Sequence, residues 1–483
     1  MRDAVVLYIN EQRHEVADRH ALRSLSDYLR RDCGLVGTKI VCSEGDCGAC
    51  TVLVGRPAAD GATLDYQPVD SCIRFLFQLD GCHVVTVEGL AEPGQLNGVQ
   101  QAMVDCYGSQ CGFCTPGFVM AMTGMLQQSR PQDDEAWRLG LTGNLCRCTG
   151  YEQILEAGAA AAEACEADAL GKRYAPAEML AEFASLATDD VEVRARLHDG
   201  DHCVAMPATL DAALVFLAKH PEAVIAAGAT DLGVRANKSG QLPATILDLN
   251  RIADLDFVRH EEDAVVCGAR ATWATLASEL RDAAPEFAAV LDRFGGPQIR
   301  AVGTIAGNIA NGSPIADSLP FLFITEAAIE ATSRDGVRWI PIGEFYHGYK
   351  QLELRPGELI TAVRIPLPPA DDLLKLYKVS RRRDLDISGF TAGIRLRLAG
   401  ETIQSAWIAL GGVGPTVVRA AKAEAFLQGR ELSEDAFRAA GEIAVGEVTP
   451  ISDVRGSAEY RRQLVRNVFL KFFHQTDQQP QIA

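Results

Sequence analysis

Cys42-Ser43-Glu44-Gly45-Asp46-Cys47-Gly48-Ala49-Cys50 is the stretch on which the reading of this sequence turns. Together with Cys72 it spells C-x4-C-x2-C…C, the spacing of a plant-type [2Fe–2S] site. Thiolates that converge on one inorganic centre need a short loop of small residues, which Gly45, Gly48 and Ala49 supply. Backbone N–H groups freed by such a loop can point at sulfur and tune its potential. A structural zinc site is the competing reading. Zinc ribbons favour paired C-x2-C knuckles, whereas here a lone cysteine stands five residues upstream of the knuckle and another twenty-two downstream.

A second set follows: Cys111-Gly112-Phe113-Cys114 and Cys146-Arg147-Cys148. A C-x-C pair serves one centre only where the backbone turns sharply, and Gly143 and Gly150 flank it. Alone, this set would suit zinc equally well. Beside the first, a second [2Fe–2S] centre is the better reading, and two centres in tandem imply an electron relay. Of the fourteen cysteines, eleven precede residue 150. The N-terminal run Met1–Asn10 has no signal-peptide core, so a reducing, cytoplasmic setting is expected and a disulfide framework is not. Cys33, Cys82, Cys106, Cys165, Cys203 and Cys267 read as small buried hydrophobes. The net charge of −18 argues against a nucleic-acid partner, and apolar runs are too short for a membrane span.

The 483 residues divide into segments. Residues 1–90 read as β-rich, with Val5, Leu7 and Ile9 alternating, strands at Thr51–Val54 and Val84–Val87, and a helix capped by Ser24. Residues 91–165 read as helical, Pro116 fitting a first turn. Residues 166–200 are Ala-rich and acidic (Glu166, Asp168, Glu178, Glu182) and read as a linker that can be partly helical. Residues 201–370 alternate strand- and helix-like runs. Residues 371–483 begin with strands at Leu373–Val379, Thr391–Leu398 and Ile403–Leu410, with helices from Arg419 onward. Two glycine-rich loops lie in the fourth segment, Ile225–Val234 and Gly303–Asp317. Either could be a tight turn or an anion nest. Neither fits G-x-G-x-x-G followed by an acidic residue.

Gln110–Gly117 with Gly143–Tyr151, preceded by the Glu44–Cys50 loop, resembles the cluster domains of molybdenum hydroxylases, nearest to the iron–sulfur and flavin subunits of bacterial xanthine dehydrogenases. The resemblance covers nearly the whole chain. It implies an α+β multidomain fold: a β-grasp [2Fe–2S] ferredoxin-like domain (1–90), an α-helical [2Fe–2S]-binding domain (91–165), a linker (166–200), a non-Rossmann, vanillyl-alcohol-oxidase-like FAD-binding α+β domain (201–370) and a C-terminal α/β flavoprotein domain (371–483). The cluster ligands it implies are Cys42, Cys47, Cys50 and Cys72, and Cys111, Cys114, Cys146 and Cys148. Gln110 matches a pterin contact.

By the same resemblance, FAD contacts fall on Ile225, Ala226, Ala227, Gly228, Ala229, Thr230, Asp231 and Leu232, on Phe294, on Thr304, Ile305, Ala306, Gly307 and Asn308, and on Asp317, Ile360 and Lys378. Tyr349 matches an aromatic near the flavin ring, and Ser380–Ser388 a mobile loop; three arginines there could equally form a solvated turn. The implied activity passes electrons from a molybdopterin site through both clusters to FAD and on to NAD, during oxidation of hypoxanthine and xanthine to urate in purine catabolism. Molybdopterin is expected only on a larger partner subunit, in an (αβ)2 heterotetramer, so no residue here is expected to catalyse hydroxylation. The alternatives are the same role toward an aldehyde, nicotinate or aromatic acyl-CoA, a stand-alone reductase, and a zinc-stabilised scaffold without redox activity.

Overall fold

The computed structural model describes residues 1–128, 133–165, 169–174 and 176–477. The chain folds as two compact units, 1–255 with 295–304, and 256–294 with 305–483.

In the first unit, β1 (Ala4–Ile9), β2 (Gln12–Ala17), β3 (Thr51–Pro57), β4 (Leu64–Asp70) and β5 (Cys82–Val85) form a sheet in the order β2-β1-β5-β3-β4. Only β1 and β5 run parallel, the β-grasp arrangement. The helix Leu25–Arg31 starts where Ser24 Oγ accepts a hydrogen bond from Asp27 N at 3.3 Å, a cap worth about 1 kcal/mol. Alternating burial was the expectation for β1, yet every residue but Tyr8 is buried. The strand is central, and the core holding Val5 and Leu7 also takes in Leu25, Leu29, Val191, Val193 and Val204.

Four helices follow, Gly98–Asp105, Thr115–Gln127, Asp134–Gly140 and Glu152–Ala164. Pro116 lies in the first turn of the second. Their core gathers Met103, Phe118, Met122, Trp137 and Ile154.

The stretch 166–200 departs from a linker. Glu166 and Asp168 lie outside the described residues; Ala177–Leu186 is helical, as that reading allowed, but Val191–Leu197 is β6. Val191 and Val193 are buried, which draws this strand into the sheet β6-β7-β9-β8 with β7 (Gly200–Met206), β8 (Val224–Ala226) and β9 (Thr245–Asp248). That sheet shares the core of the ferredoxin-like sheet. The flavin segment 201–370 is accordingly divided between the two units.

In the second unit, β10 (Val258–His260), β11 (Ala264–Gly268), β12 (Ala328–Ser333), β13 (Gly336–Pro341) and β16 (Leu359–Pro366) pair antiparallel in the order β10-β11-β16-β12-β13, and β14 (Tyr346–Gly348) with β15 (Gln351–Leu352) makes a hairpin. β17 (Leu373–Val379), β18 (Phe390–Ala399), β19 (Thr402–Gly411) and β20 (Val418–Arg419) form an antiparallel sheet backed by the helices Ala421–Leu427, Glu434–Val445 and Ala458–Asp477. Phe390, Ile408, Phe437, Val465 and Phe469 are among its core residues. No helix among the described residues is long and apolar enough to cross a membrane.

His83 on β5 is fully buried, with Nδ1 2.6 Å from Tyr66 Oη and Nε2 2.7 Å from the Asn10 carbonyl. Burial lowers its pKa from 6.5 to about 4, so the folded protein keeps the ring neutral while the unfolded chain protonates it first. Stability from this group is therefore present above pH 6.5 and lost as pH falls toward 4. Urea unfolding between those limits is expected to lose on the order of 3 kcal/mol from this residue. His83→Phe, less stable at neutral pH, is expected to flatten that part of the profile; an unchanged slope would count against the assignment.

Candidate functional site

Strand pairing assembles the first cysteine quartet. Cys42, Cys47 and Cys50 lie in the loop before β3, and Cys72 follows β4; pairing of Thr51 with Asp70 brings Cys50 and Cys72 side by side. The Cys42 thiol neighbours those of Cys47 and Cys72 closely enough to shift its titration, and Cys72 is shifted in turn by Cys42 and Cys50. These contacts pull Cys42 below the usual thiol range and push Cys47 and Cys72 above it. The N–H groups of Glu44 and Asp46 each stand 3.5 Å from Cys42 Sγ, made possible by left-handed backbone at Ser43 and Gly45.

In the second quartet Cys111 pairs with Cys148 and Cys114 with Cys146. Cys111 and Cys148 are exposed, while burial and the neighbouring Cys146 push the Cys114 thiol up to about 12. Cys146 Sγ accepts from Thr149 N at 3.4 Å and Thr149 Oγ1 at 3.1 Å. Just beyond the C-x-C pair and Gly150, Tyr151 takes left-handed backbone, φ 69°; its hydroxyl accepts from Cys146 N and donates to Cys146 O. Among the described residues no three His, Cys, Asp or Glu side chains close on a single-ion position. The thiols of this quartet stand two by two, and in the first quartet Cys42–Cys47 and Cys50–Cys72 are two of the three contacts. Two thiolates per iron is what a two-iron centre needs, so both donor sets fit. Gln110 is exposed beside Cys111.

The flavin-segment residues are held differently in each unit. In the first, β8 runs through Ile225 and Ala226 into a turn at Ala227 and Gly228. Ala229 takes φ 55°, and the helix Thr230–Ser239, carrying Asp231 and Leu232, begins with no side-chain cap. A Cβ on Gly228 would stand 2.1 Å from the Val302 carbonyl, so only glycine lets these two loops meet. The Ala227 carbonyl accepts from Gln78 Nε2 at 2.9 Å and Asn250 Nδ2 at 2.8 Å, and Arg74 Nη1 lies 3.4 Å from the Gly228 carbonyl. Ile225 remains 38% exposed for an apolar strand residue, and Thr304 is buried. A glycine turn feeding an uncapped helix suits a pyrophosphate.

In the second unit, Ile305, Ala306, Gly307 and Asn308 open the helix Ile305–Asn311. Asp317 and Lys378 come together as an ion pair at 2.5 Å, their side chains 10% and 4% exposed. Ser388 Oγ donates to Asp317 Oδ1, and Lys378 Nζ also reaches Ser388 Oγ and the Asp386 carbonyl. Phe294 packs on Trp273 with ring centres 4.9 Å apart, and Ile360 is buried in β16. Neither is brought to the Asp317–Lys378 pair by any bond. Tyr349 is 60% exposed. The loop Ser380–Ser388 is stitched by its own groups, Asp386 accepting from Arg381 N and Arg382 N.

Sequence reasoning missed Thr149, Tyr151, Arg74 and Gln78, and above all Gln298, which is fully buried against Thr51 and Asn144. The Thr-Gly-Tyr run after the C-x-C pair was the available signal for the first two; the others act through contacts remote in sequence.

Four family descriptions match along the chain: "2Fe-2S iron-sulfur cluster binding domain" over 7–73, "[2Fe-2S] binding domain" over 86–159, "FAD binding domain in molybdopterin dehydrogenase" over 199–368 and "CO dehydrogenase flavoprotein C-terminal domain" over 375–476. Xanthine dehydrogenase 1 of Arabidopsis thaliana is 29% identical over 97% of this chain and 39% of its own length. Aldehyde oxidase 2 of Cavia porcellus is 30% identical over 99% of this chain and 40% of its own. The chain thus spans about two fifths of these curated relatives. Among solved structures, a reconstituted CO dehydrogenase chain from Oligotropha carboxidovorans is 32% identical with a TM-score of 0.52, covering 55% of this chain and 94% of that one.

Gly228→Ala is expected to force the Ala227–Thr230 turn from Val302, destabilising the protein by about 1–3 kcal/mol and lowering its flavin-to-protein ratio. Gly343→Ala, with open space around it, is the control and should stay within about 0.5 kcal/mol of the parent. Equal melting and flavin content in the two variants would refute the close-approach argument. Two paired-thiol cages, the glycine turn and four matched domains in unbroken order place this chain in the molybdenum hydroxylase family of oxidoreductases, as its part with two [2Fe–2S] domains and an FAD domain.

Proposed function

We propose that this chain is the electron-transfer component of a xanthine dehydrogenase. It would take electrons from a molybdopterin site on a larger partner subunit and deliver them to NAD during the oxidation of hypoxanthine and xanthine to urate. When bound, the two clusters carry single electrons and FAD converts them to a two-electron hydride. The chain's own residues hold and insulate these groups. On this reading Cys42, Cys47, Cys50 and Cys72 ligate one cluster and Cys111, Cys114, Cys146 and Cys148 the other. Residues 225–232 and 304–308 receive FAD, with Phe294, Asp317, Ile360 and Lys378 as further contacts. The observation that carries the proposal is the pair of thiol quartets ahead of the glycine turn, in a chain that plant xanthine dehydrogenase matches along 97% of its length.

The partner reading draws on the surface around the second quartet. Tyr107, Phe113 and Leu145 are exposed there, 83%, 49% and 39%, beside exposed Cys111 and Cys148. Apolar groups around a reactive centre favour a protein face that excludes water. A cytoplasmic (αβ)2 assembly is part of the proposal, in keeping with fourteen cysteines free of disulfides. A second reading, an aldehyde-oxidising enzyme, is favoured by the 30% identity to aldehyde oxidase 2.

The native complex is expected to contain a larger molybdenum-bearing chain and about four irons per FAD. It should oxidise xanthine faster than any aldehyde in a panel, with NAD as acceptor. The separated chain should oxidise NADH with an artificial acceptor and leave xanthine untouched. Aldehyde preference would select the second reading. Xanthine turnover by the single chain, or a colourless zinc protein, would overturn the first.

A further inference from the structure

The segment Gly295–Thr304 belongs in sequence to the flavin part but folds with the cluster domains. Within it, Gln298 is fully buried. Its Nε2 donates to Asn144 Oδ1 at 2.8 Å and to Thr51 Oγ1 at 3.1 Å. Those partners in turn hold the first cluster loop. Thr51 Oγ1 donates to the Gly48 carbonyl at 2.6 Å and Asn144 Nδ2 to the same carbonyl at 3.0 Å. One residue on, Leu145 N donates to the Cys47 carbonyl at 3.0 Å. Cys47 belongs to the first quartet, and Leu145 directly precedes Cys146 of the second. A backbone hydrogen bond therefore links the two ligand-bearing loops, and Gln298 holds a residue near each end of it, Asn144 next to Leu145 and Thr51 four residues beyond Cys47.

The amide can face only one way. The Thr51 hydroxyl proton and the Asn144 Nδ2 group are both directed at Gly48, so both groups offer Gln298 acceptors and Gln298 must offer its NH2. Its Oε1 is left buried with no hydrogen-bond partner, in a place where a Cβ on Gly143 would stand 1.9 Å away. A buried acceptor without a donor is a cost to stability, set against the two hydrogen bonds that Nε2 donates to buried acceptors. The next residue, Ile299, packs on Cys50, Cys72 and Ile73.

We propose that Gln298 is a positioning residue for electron transfer between the two clusters: by clamping Asn144 and Thr51 it holds the Leu145–Cys47 hydrogen bond that sets the spacing of the two ligand loops. This deepens the relay reading above and rests on it. The geometry predicts a site where small displacements have large kinetic effects, because transfer requires the two loops to be held in register.

The test uses the holoprotein and its Gln298→Met and Gln298→Glu variants, which keep the length of the side chain and remove the paired donors. Three readouts are taken: iron and flavin content, re-equilibration of an electron between the two EPR-distinct clusters after pulsed reduction, and hydrogen exchange of the Leu145 amide. Both variants are expected to keep their cofactors, to slow re-equilibration roughly tenfold, and to lose protection at Leu145 by about the same factor. A residue that only filled space would leave the latter two unmoved in Gln298→Met. Unchanged re-equilibration and unchanged Leu145 exchange in a fully loaded variant would overturn the inference and leave the relay reading standing. A parent protein without two distinct cluster signals would sink both.

Discussion

The carbonyl of Gly48 is where the two cluster-bearing domains are fastened. It receives hydrogen bonds from Thr51 and Asn144, and a Cβ on Gly117 would stand 2.2 Å from it. Gly48 itself, at φ 66°, has the Gly143 carbonyl 2.3 Å from where its own Cβ would be. Close backbone approach on two sides, from Gly117 and Gly143, is a demand that no side chain can meet. From this contact the helix Thr115–Gln127 runs along β3, and its Gly124, seven residues beyond Gly117, lies where a Cβ would press on Leu53 and Pro68. Two small residues on one helix face let the helix lie on the sheet, and its apolar groups, Phe118 and Met122 among them, then close the shared core.

The second attachment lies directly beyond the last ligand of the first quartet. Ile73, Arg74 and Gln78 follow Cys72 and hold the turn that leads into the helix Thr230–Ser239. Gln78 binds the Ala227 carbonyl, Arg74 approaches that of Gly228, and the Ile73 carbonyl lies 2.3 Å from where a Cβ on Gly233 would be. The candidate pyrophosphate turn is thus built on the same run of chain that supplies Cys72. Its distance from the first cluster loop is set by side-chain hydrogen bonds to main-chain carbonyls and by close packing, which yield little to thermal motion. An electron relay needs that constancy more than it needs any particular reactive side chain.

Much of this was legible in the sequence, for chemical reasons. Metal ligation restricts both residue type and spacing, so eight of the fourteen cysteines stand out as candidate ligands. The strand at Leu373–Val379 and the Ser24 cap follow from local rules and appear where those rules put them. What escaped depends on partners remote along the chain. Gln298 and Thr51 are 247 residues apart, and nothing around Gly296–Ile299 signals that the segment leaves the flavin part. Asp317 and Lys378 were read as separate ligand contacts, while the fold joins them in an ion pair whose disruption would strand a buried charge at a cost of about 3–5 kcal/mol. The acidic composition around 166–200 concealed β6, whose two buried valines are too few to outweigh their charged neighbours in a local reading.

On the proposed function, the two quartets differ in a way that gives the relay a direction. Cys111 and Cys148 are exposed, among exposed aromatic and apolar groups, and one strongly placed hydroxyl, Thr149, bonds to a ligand sulfur. Cys50 and Cys72 are 2% and 3% exposed and pack with Ile73, Val234 and Ile299 beside the buried Asp70 carboxylate, while Cys42 and Cys47 are half-buried. Solvent exposure and hydrogen bonds to sulfur are the levers by which a protein moves the potential of a cluster. On that reading the more exposed quartet would face the partner and the more buried one would lie beside the flavin turn. Electrons entering at the exposed quartet would cross the Leu145–Cys47 hydrogen bond before passing Cys72 toward Gly228. On the proposed function, the difference in burial between the two quartets would follow the order of transfer, with residues that contribute by position.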